Sequence, residues 1–211
     1  AFVERMNDYP QKVIFAVGSS DTLGYHGRHE RGMDAINFFS HHGGVDLFEQ
    51  IKATPGVFTR DFTAESWAIP QYCTQGSGIG TKNVATGVFP LRSFCTDRVT
   101  QYAEFCLDLT NMSAALLIAS EFVIEEQNKD VVHHFTTRGF TQSNDCTGAQ
   151  APGIGGWAPG EPYKLWPNLA GVDVGPGGIL SVKMQLHYDN WENRAAVDSS
   201  GIRLWMLPRD V

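Results

Sequence analysis

Val182-Lys-Met-Gln-Leu-His-Tyr188 (VKMQLHY) alternates without a break. Val182, Met184, Leu186 and Tyr188 fall on one face of an extended chain, and Lys183, Gln185 and His187 fall on the other. Successive side chains of a strand point to opposite faces, so this segment predicts a strand with one face on a core and one toward water. The same pattern recurs outward from it. Downstream, residues 201–207 read as a further strand. Upstream, strands are predicted over 131–137, 115–124, 102–109 and 88–95, with a long Gly/Pro-rich excursion over 143–178. Extended segments are also read at 13–17, at 33–39, and from Phe58 until Pro70 stops the chain. One short stretch, 46–52 (DLFEQIK), has the spacing of a helix ended by Pro55. Short strands set apart by turns, with almost no helical period and no internal repeat, predict an all-β fold: an antiparallel β-sandwich or jelly roll.

Composition agrees and excludes several classes. The 211 residues include 22 Gly and 10 Pro, with 42% apolar and 18% charged residues. That is too little charge for a disordered acidic tail, and the glycines show no triplet period. The length suits one large β domain or a domain and a half. A net charge of −7 and the absence of a polybasic patch argue against nucleic acid as a partner. The most apolar run, 114–124, is shorter than the roughly 20 residues a bilayer requires and contains Ser120 and Glu121. It predicts a buried strand and no membrane span. The GSGIG run at 76–80 lacks the Lys-Ser/Thr of a phosphate loop and reads as a hairpin tip.

Cys73, Cys95, Cys106 and Cys146 form no CxxC pair. Four well-separated cysteines in a Gly/Pro-rich β chain predict two disulfides, with three pairings open, and a secreted, extracellular or lumenal location. The seven histidines are unevenly placed. His26 and His29 sit in a Gly/Arg-rich turn and read as structural. His41 and His42 precede two glycines and read as a solvated loop. His133 and His134 are adjacent, and His187 lies on the polar face of its strand. Neighbouring strand residues diverge, so His133 and His134 share an ion only at a strand end or a bulge, or by using different ring nitrogens. Three imidazoles with an open position suit copper or zinc, and copper has the higher intrinsic affinity. Gln185 or a backbone carbonyl is the candidate to orient a ring through its second nitrogen.

Read in order, YAEFC (102–106), ALLIASEFVIEEQNKDVVHHF (115–135), WAPGEPYKLWPNLAGVDVGPGG (157–178), VKMQLHYDN (182–190) and DSSGIRLWM (198–206) resemble the copper type II, ascorbate-dependent monooxygenases. This is the dopamine β-monooxygenase-like family, and the likeness lies in its first catalytic domain. It covers about half the chain. The resemblance implies that His133, His134 and His187 bind the electron-transfer copper, with ascorbate as reductant if the protein is active. VIFAVGSSDTLGYHGRHERGMDAINFF (13–39) is similar to the closing strands of a DOMON module, and DFTAESWAIP (61–70) to the strand leading on from it. The implied organisation is a DOMON-like end over 1–45, a linker strand and insertion over 46–101, and the copper monooxygenase-like sandwich over 102–211. Matching Cys106 to a family cysteine, and placing Cys73 with Cys95 inside the insertion, favours the pairs Cys73–Cys95 and Cys106–Cys146.

The chain also departs from the family pattern. Phe140 stands near the position of a family cysteine, and no His-x-His for a second copper is present. Hydroxylation in the family requires that second site. A copper-dependent hydroxylase is therefore expected only together with a second copper domain or a larger assembly. The alternative is a non-catalytic structural or binding subunit that retains the fold.

Overall fold

The computed structural model describes residues 11–16, 31–36, 47–73, 80–151, 153–160, 162–166 and 170–209. Most of the 1–45 stretch, including His26, His29, His41 and His42, lies outside the described residues, as does most of the GSGIG run. Within that stretch β1 (Gln11–Ala16) and β2 (Arg31–Ile36) pair antiparallel.

Two antiparallel sheets make the body of the protein. The first runs β10 (Gly156–Trp157), β8 (Val132–Phe140), β13 (Ser181–Asp189), β6 (Thr100–Asp108), β5 (Val88–Cys95), with β9 (Gln150–Ala151) also on β8. The second runs β11 (Tyr163–Leu165), β7 (Ala115–Val123), β15 (Gly201–Pro208), β3 (Phe58–Thr63), with β12 (Val172–Val174) also on β7. Their inner faces share one core: Phe105, Leu107, Phe135, Val182, Met184 and Leu186 from the first, Phe62, Leu117, Ile202, Leu204 and Met206 from the second. Phe122 and Phe135 meet edge-to-face across it at 5.7 Å. The predicted all-β antiparallel sandwich is therefore the fold. It begins earlier than residue 102, because β3 and β5 of the 46–101 stretch are edge strands of the two sheets.

The outer faces of the two sheets differ. On the second sheet, α1 (Leu47–Ala53) lays Phe48 and Ile51 over Ile118 and Ala119, with Phe48 stacked on Tyr163 at 4.5 Å. β7 is thus covered on both sides, which explains why its sequence reads as a continuous apolar run rather than an alternating one. The outer face of the first sheet, where His187 points, has polar and aromatic side chains instead.

Sequence expectations for the strands hold to within a few residues, with these differences. The 58–69 run is two strands, β3 and β4 (Trp67–Ile69), because Glu65 and Ser66 take φ of 50° and 65° and turn the chain. β4 then pairs with β14 (Ala196–Asp198). The 143–178 excursion carries β9 to β12, strands of two or three residues too short to leave a periodic signal. Its GPGG run is a tight turn: Gly175 and Gly177 have φ of 80° and 87°, and Gly178 N–H bonds to Gly175 O at 2.9 Å. Left-handed backbone of this kind favours glycine.

Both disulfides form. Cys73–Cys95 ties the segment after β4 to the end of β5, and Cys106–Cys146 ties β6 to the loop after β8. Phe140 packs in the small cluster around Cys106–Cys146, together with Phe89. Two disulfides with no free thiol fit an oxidising compartment. No helix among the described residues is long and apolar enough to cross a membrane.

Candidate metal centre

The centre depends on one irregularity in the pairing of β13 with β8. Leu186 pairs with Phe135 and His187 with His134, but Tyr188 pairs with Val132. His133 is the extra residue of a β-bulge. In a regular ladder His133 would point into the core opposite His134. The extra residue bends the strand and re-aims its side chain, so both rings emerge on the outer face beside His187. All three histidines are partly buried.

His133 Nδ1 lies 2.8 Å from His134 Nδ1, and His187 Nδ1 lies 3.3 Å from the same atom. One nitrogen from each ring lies within 4.8 Å of the other two. Two nitrogens each about 2.0–2.1 Å from one metal ion stand about 2.9 Å apart at a right angle and about 3.3 Å apart at a tetrahedral one. The two separations at His134 Nδ1, 2.8 and 3.3 Å, lie at the two ends of that range, and the third pair is within 4.8 Å, so the donor set is compatible with a metal bound by three imidazoles with a position left open. Without a metal, a shared proton between Nδ1 atoms satisfies the same contact.

Neighbouring groups hold the rings. Tyr102, opposite His187 on β6, stacks on it with centroids 4.5 Å apart, and Phe94 of β5 stacks on Tyr102 at 5.1 Å. Asp97, in the β5–β6 turn, is close enough to feel the charge of His187. Its carboxyl is held below the usual range first by the backbone N–H groups of Val99 and Thr100. Beneath the site, Tyr188 is fully buried and donates its hydroxyl to Asp198 at 2.9 Å. Burial, then the Asp198 charge, pushes the phenol well above its ordinary value. Asp198 Oδ1 also accepts from Asn128 at 3.0 Å and from Ser200 at 2.6 Å. Asn128 sits in the 3-10 turn that leads into β8, and Asp189 N–H bonds to Val131 O at 2.8 Å. This buried network ties the turn before β8 and the end of β13 to β14.

Of the candidates read from sequence, His133, His134 and His187 come together. Gln185 does not orient a ring as expected: its amide nitrogen donates to Glu104 at 2.8 Å, one step along the sheet. Glu104 is only 4% exposed and also takes a two-pronged bond from Arg92, at 2.8 and 3.1 Å. Tyr102, Asp97 and the Tyr188–Asp198–Asn128 network were not found from sequence. Their only signal is cross-strand register and the return of β14, neither of which a single chain displays.

No family model matches the chain, and no curated protein matches it either.

Proposed function

We propose that this chain is a copper-binding β-sandwich serving as the electron-transfer half of an ascorbate-dependent copper monooxygenase of the dopamine β-monooxygenase-like kind. The observation that carries the reading is the bulge at His133. Sheet packing has no need of three imidazoles at one point, and the extra residue falls where it brings them together. Copper held there would supply a one-electron redox couple, with ascorbate as its reductant. The chain's own residues bind and orient: the three histidines are the ligands, Tyr102 fixes the plane of His187, and the Tyr188–Asp198–Asn128 network holds the bulge from below. Histidine supports copper over zinc here only by intrinsic affinity, so the metal itself belongs to the test.

In this reading hydroxylation takes place with a second copper domain or a partner assembly, in the secreted, extracellular or lumenal setting that disulfides favour. The test is a protein loaded with one equivalent of Cu(II) and treated with ascorbate without oxygen. The expected result is loss of the Cu(II) electron paramagnetic resonance signal, one electron per chain, and its return with an added oxidant. Failure to bind copper stoichiometrically, or bound Cu(II) that stays oxidised, favours the non-catalytic structural subunit.

A further inference from the structure

On the outer face of the first sheet, Lys183 of β13 stands directly opposite Arg138 of β8. Like charges facing each other across an antiparallel pair destabilise it. The usual remedy is a carboxylate between them, and none of the described residues places one there. Arg138 donates to the neutral amide oxygen of Gln150 at 3.0 Å. Lys183 reaches Glu104 only at 3.9 Å, and that carboxylate is already engaged by Arg92 and Gln185. Among the described residues, the ion pairs of Arg92 and Lys183 thus fall on one carboxylate, Glu104, and Arg138 has none, on a protein whose net charge is −7. Local positive potential on an acidic molecule concentrates small anions.

A cleft of about 240 Å³ opens over the pair, lined by Thr136, Arg138, Lys183 and Gln185. That is smaller than the about 300–1,000 Å³ of sites for drug-sized ligands. We infer that this cleft is a binding site for a small organic carboxylate, held between the Arg138 guanidinium and the Lys183 ammonium. The planar fork of a guanidinium matches the two oxygens of a carboxylate. The Thr136 hydroxyl offers a further donor at the rim. Alternate residues of β13 lie about 7 Å apart. The bound anion therefore sits one to two such steps from His187, on the same open face. The carboxylate site stands without the metal; only its use beside the histidines rests on the copper reading.

The experiment is titration of the metal-free protein with L-lactate and with its neutral counterpart lactamide, followed by 15N–1H correlation spectra. Lactate is expected to shift the amide and side-chain signals of Thr136, Arg138 and Lys183 saturably, and lactamide is expected not to. Arg138→Gln and Lys183→Met are each expected to raise the lactate Kd at least fivefold, with His187→Ala leaving it unchanged. Equal response to lactamide, no saturable response to lactate, or undiminished affinity in the two cation variants would overturn the inference. Loss of lactate binding in His187→Ala would also overturn it, placing the anion on the histidines. Lactate binding by a protein that takes up no copper would leave this site standing and remove the metal reading alone.

Discussion

Three side chains carry the proposed centre, and their contributions separate cleanly. Replacing His187 by alanine removes one donor while leaving the bulge in place. Losing only an outer hydrogen-bond partner of a ligand already costs about 10–100-fold in metal affinity. Copper affinity in His187→Ala should fall by more than that, as read by competition against a chelator. Tyr188→Phe acts differently. It deletes the hydroxyl that donates to buried Asp198, leaving that carboxylate with fewer partners. Loss of about 1–3 kcal/mol of stability is expected, measured by urea unfolding, as for other buried groups left short of a partner. At this scale much was legible from sequence, because the alternation of residues 182–188 put His187 on the outer face. Gln185 was misplaced because it too lies on that face. Whether it turns toward His187 or Glu104 depends on β6, which the local sequence does not reveal.

At the scale of strands, the decisive element is the bulged end of β8. An adjacent histidine pair signals that a shared site requires a break in the pleat, but not whether the break exists. It exists because Asp189 N–H is tied to Val131 O while His187 still pairs with His134, leaving one residue over. Deleting His133 should restore a regular ladder, since Val132 and His134 would then fall on successive partners. The expected variant keeps its strand circular dichroism and both disulfides but loses tight copper binding. Retained copper affinity would show that the bulge is not what assembles the centre. Strands long enough to alternate were readable. The short β9–β12 and the turn at Glu65–Ser66 were not, since two or three residues carry no period.

For the whole molecule, one disulfide and two buried carboxylates set how the sandwich responds to its surroundings. Cys106–Cys146 bridges a sequence separation of 40 residues. Its removal in a Cys106→Ala, Cys146→Ala protein should lower stability by about 2–5 kcal/mol, visible as a shifted denaturant midpoint. Glu104 and Asp108 are both buried carboxylates whose pKa values lie below the ordinary range. In each, burial alone acts upward, and the net lowering comes from hydrogen bonds and cations: Arg92, Gln185 and Lys183 at Glu104, Lys82 and Thr110 at Asp108. A folded-state pKa below the unfolded one adds stability that is present above the unfolded value and lost as pH falls through the folded value. Unfolding free energy should therefore drop as pH falls below about 4.5, near the reference range of carboxyls, and less steeply in Glu104→Gln. The sandwich and its open outer face follow from strand alternation, whereas the covering of the other sheet by α1 left only a seven-residue helix signal. The proposal that one ion is held by all three histidines is checked by X-ray absorption on protein loaded with one equivalent of copper. Three imidazole nitrogens at about 2.0–2.1 Å are expected. A spectrum with one imidazole or none, or one unchanged by His187→Ala, would contradict it.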